Sequence, residues 1–300
     1  ASIRGIQTQD VAANAKVFVA NNQEYHRLKI NVEFDERTLE EIYFPIFKKA
    51  INKGDVYSIM GAYNKFRGHY CCEHPYLVDD VLRKRWGYDG VLISDWGGVH
   101  DTEKAAKYGM DIEMGTELRE DKIHEKCFLG APLIRMIEQG KISETVVDEK
   151  VERILALMFK IKIFSKDRNE GANNTMAHRL LAQQMAENSM VLLKNENNML
   201  PLDKNTMKTL EIIGPNADAK HAYGGGSSEV FPEYEITPVE GIKAKLGGDI
   251  TLTYSPGVVE EKDRKVFYRD QAIDYAKQAD TVLFIGGLSH DIDKESEDKP

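Results

Sequence analysis

Seven residues, Gly90-Val91-Leu92-Ile93-Ser94-Asp95-Trp96, constrain the fold of this chain more than any others. A glycine-bounded apolar run that delivers a carboxylate and then an indole reads as a buried strand. Active sites of barrel enzymes sit at the C-terminal ends of such strands. An Asp at a strand end also serves as a cap for the next helix, so the role of Asp95 depends on the sequence around it.

That sequence alternates strand-like and helix-like pieces. Short strands are predicted at 15–20, 56–63, 91–95 and 110–114. Helices are predicted at 35–53, with Asp35 as N-cap, at 76–86 and near 102–108, and residues 64–74 read as a loop. Crossovers of this length mean parallel pairing. Half of an eight-fold barrel and most of an open doubly wound sheet fit the pattern equally. Val147, Val151, Ile154, Leu155 and Met158 form one stripe of a long helix ending near Phe164. Residues 165–176 are polar and unpatterned and read as a linker. Beyond them, a helix at 177–188, strands around 210–213, 250–254 and 280–287, and a helix at 268–279 make a second α/β domain. Three hundred residues suit two such domains. Both ends read as cuts through something larger.

A net charge of −9 argues against nucleic acid and anionic membranes as partners. No apolar run approaches the ~20 residues of a membrane span. Three cysteines, two of them adjacent (Cys71, Cys72), make no disulfide framework, and no His/Cys spacing suits zinc. No metal and no cofactor is therefore expected. Gly224-Gly225-Gly226 does not lead a strand into a helix as a phosphate cradle does.

The stretch from Asp79-Asp80-Val81-Leu82-Arg83 through Trp86-Gly87-Tyr88-Asp89-Gly90 to Asp95-Trp96 resembles the signature of glycoside hydrolase family 3, the β-glucosidases and β-xylosidases. Met60-x-x-Tyr63-Asn64 with Gly68 and Cys71-Cys72 matches the preceding strand and loop. Ser189-Met190-Val191-Leu192-Leu193-Lys194-Asn195-Glu196, followed by Leu200-Pro201-Leu202, matches the opening of the second domain. The resemblance implies the C-terminal half of a (β/α)8-type barrel over 1–164, then a truncated α/β/α sandwich over 177–300, with the active site between them. It also suggests a periplasmic or secreted setting, and it allows a homodimer.

A retaining glycosidase uses two carboxyl groups roughly 5–5.5 Å apart, one attacking the anomeric carbon and the other protonating the leaving oxygen. By resemblance Asp95 is the nucleophile. The proton donor falls on the loop after the strand at 282–288, where Glu295 aligns and Glu297 is one slip away. A charged solvent-facing loop is the bland alternative. As an acid, Glu295 needs a raised pKa, which requires burial. Lys16 matches a family lysine that touches a sugar hydroxyl or the nucleophile, but the following family histidine is replaced by Val17, which puts hydroxyl recognition in doubt. Arg27, in Asn21 to Arg27, ties its loop or meets a hydroxyl. Met60 and Trp96 would wall the sugar, and Tyr63 would donate to Asp95 or near the ring oxygen. For Met60 and Tyr63 core packing is the competing explanation, and for Arg27 a surface ion pair. Glu113 reads as structural. The resemblance implies a terminal β-linked sugar, most readily glucose in a β-glucoside or oligosaccharide. A β-xylosidase or a non-catalytic carbohydrate-binding relative is the alternative. An N-acetylglucosaminidase is disfavoured by Asn21-Asn22-Gln23-Glu24.

Overall fold

The computed structural model describes residues 1–115, 123–168, 170–261, 264–289, 293 and 295–298. It divides into two compact units, Ala1–Ala172 and Asn173–Pro300.

The first unit contributes strands β1 (Asn14–Phe18), β2 (Asn31–Val32), β3 (Ser58–Gly61), β4 (Lys65–Phe66), β5 (His69–Tyr70) and β6 (Val91–Ile93). Strands β1, β3 and β6 pair in parallel in that order, and a parallel bridge from Ile93 to Ile112 continues the series. An order that follows the chain without reversal is that of a barrel wall; a doubly wound sheet turns back on itself. With helices packed on one face of the series, the arrangement fits a barrel wall.

Helices cover one face of this wall. The first runs over 36–52 and begins where the Asp35 carboxylate accepts the Thr38 N–H at 2.8 Å. The second, Pro75–Arg85, begins where the His74 ring accepts the Leu77 N–H, with Pro75 supplying the fixed φ of a first turn. Phe44, Phe47, Leu77, Val81 and Leu82 bury their side chains with Phe18, Ile59 and Leu92. Each is worth about 1.5–3 kcal/mol of transfer free energy. Ile59 and Leu92 are register partners on that face. Strand parity puts Ser58, Met60, Val91 and Ile93 on the other.

Two local expectations change. Residues 64–74 hold a hairpin, β4 against β5, turned by Arg67 and Gly68 at φ 47° and 83°. A two-residue loop with both φ positive matches the twist of its strands, but Arg-Gly is a weak written signal for it. The strand expected at 110–114 shrinks to one bridge, because side chains take over its partners. Ser94 Oγ accepts the Met114 N–H, and the Asp111 carboxylate accepts the Leu92 N–H.

The second unit adds β7 (Thr209–Ile213), β8 (Thr251–Ser255), β9 (Val258–Glu261), β10 (Arg264–Phe267) and β11 (Thr281–Phe284). Strands β11, β7 and β8 are parallel with β7 in the middle. The order reverses about β7, as in an α/β/α sandwich. The antiparallel pair β9–β10 and the helix Pro238–Leu246 carried no expectation. The helix is nevertheless written in the chain: Thr237 and Glu240 form a reciprocal capping box around Pro238. The core here is small, formed by Met207, Leu210, Ile212, Ala217 and Ile250. Among the described residues no helix is long and apolar enough to cross a membrane.

Candidate active site

Asp95 lies two residues past β6 and is 4% exposed. Parity with Val91 and Ile93 puts it on the same side of the wall as Met60, away from the helices. Its Oδ1 accepts the Trp96 N–H at 3.0 Å, and its carbonyl accepts the Gly98 N–H at 3.0 Å. The carboxylate is thus oriented by its own tight turn. Next to it the Trp96 indole is half exposed, as a flat apolar wall for a ligand requires.

The turn is held from below by residues for which no role was expected. Cys71–Glu73 forms a short 3-10 turn after β5. Cys72 fits between two glycines: a Cβ on Gly61 would lie 2.7 Å from its Sγ, and one on Gly98 2.9 Å. Its thiol donates to the Ala62 carbonyl, and burial pushes the pKa well above the ordinary thiol range. Cys71 is likewise buried and pushed up to about 12, so both are packing thiols. Glu73 Oε2 accepts the N–H groups of His100 and Asp101, each at 2.8 Å. Burial raises its pKa, against the lowering effect of those two bonds. The separation of 27 and 28 residues leaves no local periodicity that would have pointed to Glu73.

The other expected residues fall into two groups. Tyr63, 8% exposed, meets the Arg27 guanidinium 5.0 Å from its ring centroid, and Arg27 also pairs with Glu24 at 2.8 Å. These two are together, and Arg27 ties its loop to the strand end. Lys16 stands apart. Ala15 is opposite Ile59 and Phe18 opposite Gly61, so Lys16 and Val17 both face the single residue Met60 in a bulge. Val17 packs towards the helix-side core. Lys16 is exposed and lines a groove of about 780 Å³ with Val17, Tyr43 and Phe47; Asp95, Tyr63 and Trp96 are not among its walls.

Deeper in the unit, Asp111 is bound by Arg83 and Arg153, each at 2.7 Å, and by the Leu92 N–H at 2.7 Å. Arg83 also donates to the carbonyls of Tyr88, Gly90 and Gly109. This network fixes the start of β6 against the Ile112 segment. Glu113 accepts the N–H groups of Phe128 and Leu129, a structural contact.

In the second unit, Glu295 is half-buried, and its Oε2 accepts the Ser227 N–H at 2.5 Å. Gly226 sits at φ 60°, where a Cβ would lie 2.6 Å from that oxygen. Glu297 is exposed. His290, Asp291, Ile292 and Lys294 of the same loop lie outside the described residues.

The comparisons agree with this architecture. The profile of the "Glycosyl hydrolase family 3 N terminal domain" matches residues 1–157, and that of the "Glycosyl hydrolase family 3 C-terminal domain" matches 190–300. The chain belongs to glycosyl hydrolase family 3. A β-glucosidase of Bacteroides ovatus is 36% identical over 96% of the chain and 41% of its own length. The crystal structure of a Bifidobacterium adolescentis family 3 β-glucosidase superposes with a TM-score of 0.83 at 29% identity, covering 99% of this chain and 42% of that one. That of a Streptomyces venezuelae β-glucosidase in complex with D-glucose gives 0.76 at 36% identity, covering 86% and 34%. The chain thus spans about two fifths of the length of the relatives that it matches across most of its own.

Proposed function

We propose that this chain carries the nucleophile and the acid/base of a retaining, exo-acting β-glucosidase. The observation that carries the reading is Asp95: a buried carboxylate at the C-terminal end of a parallel strand, oriented by a backbone N–H beside a half-exposed indole. With Oδ1 held by Trp96, Oδ2 attacks the anomeric carbon. The bond to the leaving oxygen breaks as Glu295 gives that oxygen its proton. Glu295 then takes a proton from water, whose oxygen attacks the same carbon and releases Asp95. Glucose is favoured over xylose because the relatives are named β-glucosidases and one was solved with D-glucose. Met60, Tyr63, Trp96 and Arg27 are assigned to sugar recognition; Lys16, which lines a separate groove beside Tyr43 and Phe47, is not.

The test is a panel of aryl β-glycosides on the full chain. Asp95→Ala should lower kcat by roughly 10⁴-fold or more with the fold intact, and near-normal turnover would remove the assignment. Glu295→Ala should slow substrates with poor leaving groups most, by about 10²–10⁴-fold. If Glu297→Ala shows that pattern instead, the proton donor is Glu297. Val17 in place of the family histidine favours one further reading, a non-catalytic sugar-binding protein. It would bind glucose without turning over any glycoside of the panel.

A further inference from the structure

Three neighbouring residues reach the one loop that follows Asp95. Tyr70 stacks on His100 with ring centroids 3.6 Å apart. Cys72 fills the space between Gly61 and Gly98 at the middle of the loop. Glu73 holds the N–H groups of His100 and Asp101 at its end. Asp101 in turn caps the helix Thr102–Lys107 through the Lys104 N–H at 3.0 Å. The middle and the far end of the segment from Asp95 to Asp101 are therefore held by a single turn of chain.

Among the described residues the Glu73 carboxylate binds only backbone N–H groups, which is a costly way to fill space. Desolvation works against its charge, and an apolar side chain would pack there at no such cost. What the carboxylate supplies is direction: one oxygen accepts two successive amides and so fixes the path of the loop at that point. A displacement of about 1 Å at a reacting group costs on the order of 10²-fold in rate, so the path of a loop that begins at the nucleophile matters.

We propose that Glu73 is a positioning residue for Asp95 and Trp96, acting through the backbone of His100 and Asp101 while Cys72 holds the loop at Gly98. The proposal rests on the assignment of Asp95 as nucleophile. Its prediction separates reach from charge. Glu73→Gln keeps an acceptor oxygen at the same distance; Glu73→Asp keeps the carboxylate and withdraws it by one methylene.

The experiment measures kcat, KM and amide hydrogen exchange in the full chain for both variants. Glu73→Asp should lower kcat by about 10–100-fold with KM within about twofold, and speed exchange at His100 and Asp101 by about tenfold or more. Glu73→Gln should restore kcat and protection to near wild type. Three results would overturn the proposal: Glu73→Asp indistinguishable from wild type, Glu73→Gln as impaired as Glu73→Asp, or exchange rising evenly across the first unit. If Asp95→Ala retains turnover, the reading of Asp95 fails instead, and the exchange data still report whether Glu73 holds the loop.

Discussion

The two carboxylates assigned to catalysis are held in opposite ways. Asp95 sits on a buried turn whose next residues are clamped by Cys72 and Glu73, after a strand held at Leu92 by Asp111. Glu295 sits on a loop, half-buried, with Ser227 N–H on its carboxylate. The two units that carry them differ in the same way. In the first unit, buried polar groups hold both the strand before the carboxylate and the loop after it. In the second, the helix Met176–Ser189 has no buried residue, and the following Met190-Val191-Leu192-Leu193 run is 64–91% exposed. A nucleophile must be aimed at one atom through both halves of a retaining reaction, which suits a carboxylate on a rigid element.

The strongest way to break this contrast is to remove its keystone. The Asp111 side chain is fully buried and binds two guanidinium groups and one backbone N–H. Asp111→Ala leaves Arg83 and Arg153 without their anion, and loss of one partner of such a buried set typically costs about 3–5 kcal/mol. Both tryptophans, Trp86 and Trp96, lie in the first unit. Their fluorescence in urea should therefore show a clearly lower midpoint. A loss under about 1 kcal/mol would mean that apolar packing alone orders β6.

A second comparison uses one chemical change in two places. Leu92 is 0% exposed among the helix-side core residues, and Leu193 is 91% exposed. Leu92→Ala should cost about 2–5 kcal/mol, Leu193→Ala no more than about 0.5 kcal/mol. Equal costs would show that the 190–193 run is covered in solution, and the contrast between the units would weaken accordingly.

How much of this was legible in the chain follows from the range of each interaction. The helix over 36–52 was readable because Asp35 and the apolar spacing lie within a few residues of what they specify. The barrel wall and the sandwich sheet needed the strand order, which the pattern leaves open and the resemblance supplied. Cys72 and Glu73 were invisible as supports because the loop that they hold lies more than 20 positions away, as was the pairing of Asp111 with Arg83 and Arg153 across 28 and 42 residues. Periodicity does not encode such contacts. The helix Pro238–Leu246 is a different case: its capping box and first-turn proline are local signals written in the chain itself.

The smallest expected effect concerns a buried carboxylate in the second unit. Glu211 lies in the central strand β7, paired in register with Thr253 on one side and Val282 on the other, and is 0% exposed. Burial raises its pKa above the ordinary 4.5, and the Thr253 side chain lowers it by less. For an acid raised in the folded state, the sign is opposite to that of a salt-bridged carboxylate. Below pH 4.5 both states hold the proton and no stability is lost. As pH rises from there through the folded-state pKa, the unfolded chain gives up its proton first, so stability falls. Glu211→Gln removes this titration. Hydrogen exchange at Leu210 and Ile212, followed from pH 4 upwards and corrected for intrinsic exchange, should show wild type losing protection relative to the variant. Parallel profiles would mean that the carboxylate finds a compensating charge, and that the second unit is as well partnered inside as the first.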